Sequence, residues 1–197
     1  MSNREEIDKK IYNYKMDTVP LNMAIIFSFL SIVLKFYGIY VYSGKVAIVK
    51  TVLVDLAEGS AGYLITILVA PVLALISTIC FKYYANLKMV VIPLAVMDLH
   101  RIYLYMHKSI SVWEVIVLSC ILLAFVYTWL DNIKGAKYTY YVCLLGIVVY
   151  LYLYMEVYGS LDFIHLENSY FDISNFLSSS FVVASFASMG KAISEAD

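Results

Sequence analysis

Three polar side chains stand close together in an otherwise apolar stretch of the chain. Asp98, His100 and Arg101 follow an uncharged run from Met89 to Met97. A charge placed at membrane depth costs at least about 2.5 kcal/mol on insertion scales, so such residues usually face protein or water and have a partner. One hypothesis is a proton or ion relay, or an anion contact. The simpler interpretation is a salt bridge that fixes helix packing, since Asp98 and Arg101 can pair on one helical face.

Further charged residues lie near the ends of apolar stretches. Lys35 falls within the first stretch, and Glu114 and Glu156 lie near the ends of later ones. With Arg101 they fall in the same half of the membrane, so a shared polar site is geometrically possible. Independent anchoring at the membrane surface is the default explanation, because charges are least costly at the ends of a span.

The chain contains 19 tyrosines. Tyr150, Tyr154 and Tyr158 recur at every fourth position and predict three phenols on one helical face. Such a row could line a polar path or stack against a flat solute. Packing between helices is the simpler explanation.

Motifs typical of catalysis, metal binding or nucleic-acid binding are absent from the sequence. No nucleophile elbow, zinc-protease motif or phosphate-binding loop occurs, and His100, His107 and His165 are scattered. We interpret Cys80, Cys120 and Cys143 as buried small hydrophobic residues rather than metal ligands. No cofactor, metal or nucleic-acid partner is expected.

Composition indicates which elements must position these residues. Of the 197 residues, 62% are hydrophobic and 15% are charged, against about 25% charged residues in an average soluble domain. At roughly 20 residues per span, the apolar stretches predict an all-α membrane protein with about six spans and no extramembrane domain. The predicted spans are 21–42, 62–82, 88–106, 111–130, 138–158 and 173–190.

The predicted organisation is a segment 1–19 in the cytoplasm, a single membrane domain over 20–190 and a cytoplasmic tail over 191–197. The stretch 46–57 has helical apolar spacing, which fits either a helix lying on the membrane surface or an extension of a neighbouring span. A four- or five-span arrangement, with spans two and three as a re-entrant pair, is the alternative.

Lysine and arginine placement predicts the orientation, because positive residues favour cytoplasmic loops. With six spans, nine such residues lie inside, namely Arg4, Lys9, Lys10, Lys15, Lys82, Lys88, Lys134, Lys137 and Lys191. Four lie outside, namely Lys45, Lys50, Arg101 and Lys108. Both termini are therefore expected in the cytoplasm, with the protein in the inner or plasma membrane.

The last predicted span is rich in small residues. Ser180, Ala184 and Ser188 recur at every fourth position, a spacing typical of close helix contacts in membranes. We therefore expect contact with lipid and with other membrane subunits or a second copy of the chain.

The first functional expectation is a membrane-embedded subunit of a larger transport, secretion or channel assembly, acting through helix contacts rather than catalysis. The main alternative is a self-contained carrier or channel that uses Asp98, Arg101 and the tyrosines of the fifth span. A membrane enzyme and an immunity or exclusion protein are further alternatives.

Overall fold

The computed structural model describes residues 19–42, 61–106, 112–130, 136–158 and 170–195, and this part of the chain is helical. Six helices follow one another: α1 (Val19–Tyr42), α2 (Ala61–Tyr84), α3 (Lys88–Met106), α4 (Val112–Leu130), α5 (Ala136–Tyr158) and α6 (Tyr170–Ser194). Segments 1–18 and 46–57, for which we predicted a leader and a surface helix, lie outside the described residues.

The helices coincide with the six predicted segments to within a few residues. The largest difference is at α6, which continues through Ser194 rather than ending at 190. Its last turn carries an ion pair between Lys191 and Glu195 at 3.7 Å. Such pairs between residues four apart support a helix beyond its apolar part.

Four stretches of the described helices are long and apolar enough to cross a membrane. They are Val19–Gly38, Lys88–Met106, Val112–Leu130 and Phe176–Ser194. In the other two helices the apolar stretches whose side chains the structure describes, Leu68–Tyr84 and Tyr138–Tyr152, are 10–17 residues long. The four candidate spans indicate a membrane protein, whereas the six-span count stays a prediction.

A tight turn joins α2 to α3. Ala85 has a left-handed backbone, with φ at 48°, and its N–H donates to the carbonyl of Phe81 at 2.8 Å. The side-chain oxygen of Asn86 accepts the N–H of Lys88. One turn therefore satisfies groups at the end of α2 and at the start of α3.

A second contact between α2 and α3 compensates for a proline. Pro93 lies inside α3, and its missing N–H leaves the carbonyl four residues earlier without its helical donor. That carbonyl belongs to Met89, and it accepts a hydrogen bond from the Ser77 hydroxyl of α2 at 2.9 Å. The proline thus strengthens the pairing of the two helices.

The helices close into a ring. Each helix packs against the next one along the chain, and α6 packs back against α1 and α2 as well as α5. The spanning stretch of α6 is 61% buried, against 28% for those of α1, α3 and α4. The last helix is therefore the most enclosed of these four, and large apolar side chains on α1 to α5 face outward.

Small residues bring α6 close to its neighbours. Ser31 of α1 and Ser178 of α6 are buried, and each hydroxyl donates to the other residue's carbonyl, at 2.9 and 2.8 Å. Gly190 of α6 faces α5, where an added Cβ would lie 3.2 Å from the backbone nitrogen of Tyr140. These close contacts of α6 are made within the chain.

The predicted series Ser180, Ala184 and Ser188 lies beside this buried face. All three residues are half-buried, whereas Ser178 and Ser185 are fully buried. The hydroxyl oxygen of Ser180 is buried and has no hydrogen-bond partner among the described residues. The most enclosed face of α6 therefore lies to one side of this series, and contact of the series with another subunit or a second copy stays a prediction.

Candidate functional site

An ion pair links α3 to α4 near the ends that residues 107–111 connect. Arg101 donates through Nη1 to Oε2 of Glu114 at 2.9 Å. The two side chains are 14% and 22% exposed, so the rest of the protein covers most of their surface. Glu114 is therefore part of a half-buried contact rather than an isolated anchor at the membrane surface.

Two further polar residues, on other helices, lie within electrostatic range of this ion pair. Lys35, near the carboxyl end of α1, is buried and interacts electrostatically with Arg101 and Glu114. Tyr150 of α5 is also buried and interacts with the same two charges. We call Lys35, Arg101, Glu114 and Tyr150 the polar cluster; it draws one residue from each of four helices.

A second polar contact lies about one helical turn along α3 from the cluster. Asp98 is 8% exposed, and its Oδ1 accepts a hydrogen bond from the Ser119 hydroxyl of α4 at 2.9 Å. The possible pair between Asp98 and Arg101 is therefore not the arrangement found. Each residue instead contacts α4, because α4 places Ser119 and Glu114 opposite them.

His100 takes a different position on α3. It is half-buried, and its Nδ1 has no hydrogen-bond partner among the described residues. It interacts electrostatically with Arg101 and makes no described contact with Asp98. The structure therefore does not join Asp98 and His100 into an acid–base pair.

The tyrosine row is described in part. Tyr150 is buried, as a residue facing the interior would be, and Tyr152 is 63% exposed. The side chains of Tyr154, Glu156 and Tyr158 lie outside the described residues. Tyr150 is thus the member of the predicted row that the structure places in the cluster.

The cysteine prediction was wrong for two of three residues. Cys143 is buried, Cys80 is half-buried and Cys120 is exposed. An apolar stretch does not imply burial in a membrane helix, because its outer face meets lipid that is itself apolar. Among the described residues, no group of three or more His, Cys, Asp and Glu is placed to hold a metal ion.

The arrangement offers hydrogen-bond donors and charges within an apolar bundle. Sequence reasoning pointed to Lys35, Asp98 and Arg101 but missed Ser119, which does not stand out by charge. The sequence offers one signal for Ser119: apart from a tyrosine, the residues of α4 that carry a carboxyl or hydroxyl group are Glu114, Ser119 and Thr128.

Comparison of the chain with protein-family models, curated proteins and solved structures gives no match.

Proposed function

We propose that this chain is a multi-pass membrane carrier and that its small polar solute contacts the polar cluster. The supporting observation is the convergence of Lys35, Arg101, Glu114 and Tyr150 from four helices. The bond between Arg101 and Glu114 alone would hold α3 against α4. Lys35 brings a further ionisable group from α1 to the same place, although charge at this depth disfavours insertion.

The second polar level supports the same proposal. Asp98 and Ser119 lie next to the cluster along α3 and α4 and are joined by a 2.9 Å hydrogen bond. A carboxylate has about four lone-pair sites, and Ser119 is the one hydrogen-bond donor to Asp98 among the described residues. A solute or proton leaving the cluster would therefore meet a second polar group along the bundle.

The proposed topology has six spans. Both termini lie in the cytoplasm, and the protein lies in the inner or plasma membrane. This topology rests on the lysine and arginine bias and on six helices in sequence. In this topology the cluster lies in the outer half of the membrane. Solute would therefore reach it first from outside.

A membrane subunit of a larger transport or secretion assembly is the second candidate. Its support is the low burial of α1, α3 and α4, each with 28% of its spanning stretch covered by this chain. Uncovered apolar helix faces suit lipid and partner helices alike. The mass of the native complex in detergent, after crosslinking in the membrane, distinguishes a subunit from a carrier that works alone.

Solute flux through proteoliposomes tests the carrier. Osmotic swelling is measured with glycerol, choline and glycolate, on wild type and Arg101→Gln. Lys82→Gln is the matched control, because it removes a positive charge that binds Asn22 on α1, apart from the cluster. We expect faster uptake of one solute than in empty liposomes, lost in Arg101→Gln and kept in Lys82→Gln. Uptake equal to that of empty liposomes, or unchanged in Arg101→Gln, would contradict the carrier.

A further inference from the structure

We infer that the proposed carrier is a proton symporter and that the carboxyl group of Asp98 carries the proton. This inference rests on the proposed function, because it takes the polar cluster as the place where the solute binds. Asp98 and Glu114, the two acidic side chains in contacts between α3 and α4, differ in one respect that supports it.

Glu114 has a charged partner, whereas the partner of Asp98 is neutral. Glu114 accepts a hydrogen bond from the guanidinium of Arg101, so its negative charge is compensated in place. Asp98 is buried near the middle of α3, a helix long and apolar enough to cross a membrane. It accepts a hydrogen bond from the hydroxyl of Ser119, and the ion pairs of the described residues include none with Asp98.

A proton on Asp98 removes a costly charge. A charge near the centre of a membrane costs at least about 2.5 kcal/mol on insertion scales, and one hydrogen bond from a neutral hydroxyl does not cancel a full charge. The protonated acid can still accept the hydrogen bond from Ser119. Asp98 can therefore pass the membrane interior as a neutral acid and exchange its proton where water reaches it.

One oxygen of Asp98 is left to take the proton. Oδ1 accepts the Ser119 hydrogen bond, and Oδ2 accepts none from a described residue. Oδ2 is not one of the fully buried atoms that lack a hydrogen-bond partner, so part of its surface is open. Metal ions such as Mg²⁺ and Ca²⁺ take about six or more oxygens, far more than Asp98 and Ser119 supply. The ligand that this oxygen suits is therefore a proton.

The charged and titratable groups around Asp98 leave it as a separate site. They are Arg101, Glu114, Lys35, Tyr150 and His100. The first four interact with one another, and His100 lies about 200° around the helix from Asp98. The other titratable side chains described on α3 and on its neighbours α2 and α4 lie near the turn between α2 and α3 or are exposed, namely Cys80, Lys82, Tyr83, Tyr84, Lys88, Tyr103, Tyr105, Cys120 and Tyr127.

Solute and proton occupy different levels of the bundle. Asp98 lies about one helical turn along α3 from Arg101, and each contacts its own residue of α4. A proton on Asp98 therefore leaves the cluster free for the solute, so both can be bound at once and cross together. In an antiporter, by contrast, the two ligands must exclude each other. The proton comes from water on one side, bonds to Oδ2 and returns to water on the other side, and no other covalent bond changes.

Solute accumulation under a pH gradient tests the inference. Proteoliposomes held without a membrane potential, by valinomycin and equal potassium on both sides, take up radiolabelled glycerol, choline or glycolate. The outside is about one pH unit more acidic than the inside, which can drive about tenfold accumulation by symport. Empty liposomes give the baseline, because glycolic acid crosses lipid unaided. We expect wild type to accumulate its solute severalfold above this baseline, and not to do so when the gradient is reversed.

Variants assign the coupling to Asp98. Asp98→Asn cannot carry the proton but keeps an oxygen for the Ser119 hydroxyl, so it should equilibrate the solute and accumulate none. Asp98→Glu keeps an acid and should restore part of the accumulation. Glu195→Gln is the matched control, because it neutralises an exposed acid at the end of α6; it should accumulate solute as wild type does.

A second measurement needs no variant and so does not depend on the folding of Asp98→Asn. The lumen of wild-type proteoliposomes contains a pH-sensitive dye, and the solute is added outside without a pH gradient. Uptake by symport should acidify the lumen beyond the change seen in empty liposomes.

The two proposals fail separately. The proton coupling would be overturned, and the carrier left standing, by accumulation in Asp98→Asn equal to that in wild type. Uptake that depends on Arg101 but neither responds to the gradient nor acidifies the lumen would have the same meaning, as would accumulation under the reversed gradient. Wild-type uptake no faster than that of empty liposomes would contradict the carrier, and the coupling with it.

Discussion

The ion pair between Arg101 and Glu114 makes a contribution to folding that can be measured without knowing the solute. We expect Glu114→Gln to lower the free energy of unfolding by about 2 kcal/mol. A hydrogen bond to a charged group contributes about 1.5–3 kcal/mol, and removing one partner of a fully buried pair costs about 3–5 kcal/mol. The side chains are 14% and 22% exposed and can be partly hydrated. We therefore expect the loss of unfolding free energy to fall in the lower of the two ranges.

A double-mutant cycle isolates the pair itself. Unfolding in mixed micelles with increasing SDS is measured for wild type, Glu114→Gln, Arg101→Gln and the double variant. We expect the two substitutions to be coupled by about 1–2 kcal/mol, because the residues are in direct contact. Glu195→Gln is the matched control, since its pair with Lys191 is 3.7 Å long and half-exposed; it should change stability by less than about 0.5 kcal/mol.

Additive effects of the two substitutions would refute this reasoning. Equal losses from Glu114→Gln and Glu195→Gln would do so too, because burial would then make no difference. Coupling of the expected size, with a near-neutral control, would support the buried contact from which the polar cluster is built.

Three other substitutions probe the packing, each measured by the same unfolding assay. Gly190→Ala should destabilise by about 1–3 kcal/mol, because its Cβ would lie 3.2 Å from the backbone nitrogen of Tyr140, which cannot move aside alone; an unchanged stability would contradict the close approach of α5 and α6. Ser178→Ala should cost about 1 kcal/mol by removing its bond to Ser31, and a gain in stability would argue against that contact. Ala85→Gly should stabilise by about 0.5–1 kcal/mol, because φ at 48° suits glycine; a loss would mean that the turn differs.

The positions of the helices could be predicted from the sequence because apolar run length is a property of each segment alone. The run from Val112 to Leu130 contains one charged residue, Glu114, and it forms α4 with those bounds. Helix ends beyond the apolar residues are harder to predict, and α6 extends one turn past its predicted end, to Ser194.

Partners across helices could not be predicted, because they depend on how two helices align. Asp98 and Arg101 stood out by charge, and their spacing suggested each other as partners. In the structure, Asp98 and Arg101 each form a hydrogen bond with a residue of α4 instead. Burial was equally hard to predict, as Cys120 and Cys143 show: both lie in apolar helices, and one is exposed while the other is buried.

Solute flux that depends on Arg101 tests the central claim most directly. Uptake is compared in proteoliposomes that hold equal amounts of folded wild type, Arg101→Gln and Lys82→Gln. Wild type and Lys82→Gln, whose substituted lysine binds Asn22 away from the cluster, should take up one of the three solutes faster than empty liposomes do, and Arg101→Gln should not. Uptake by Arg101→Gln equal to that by wild type would contradict the account.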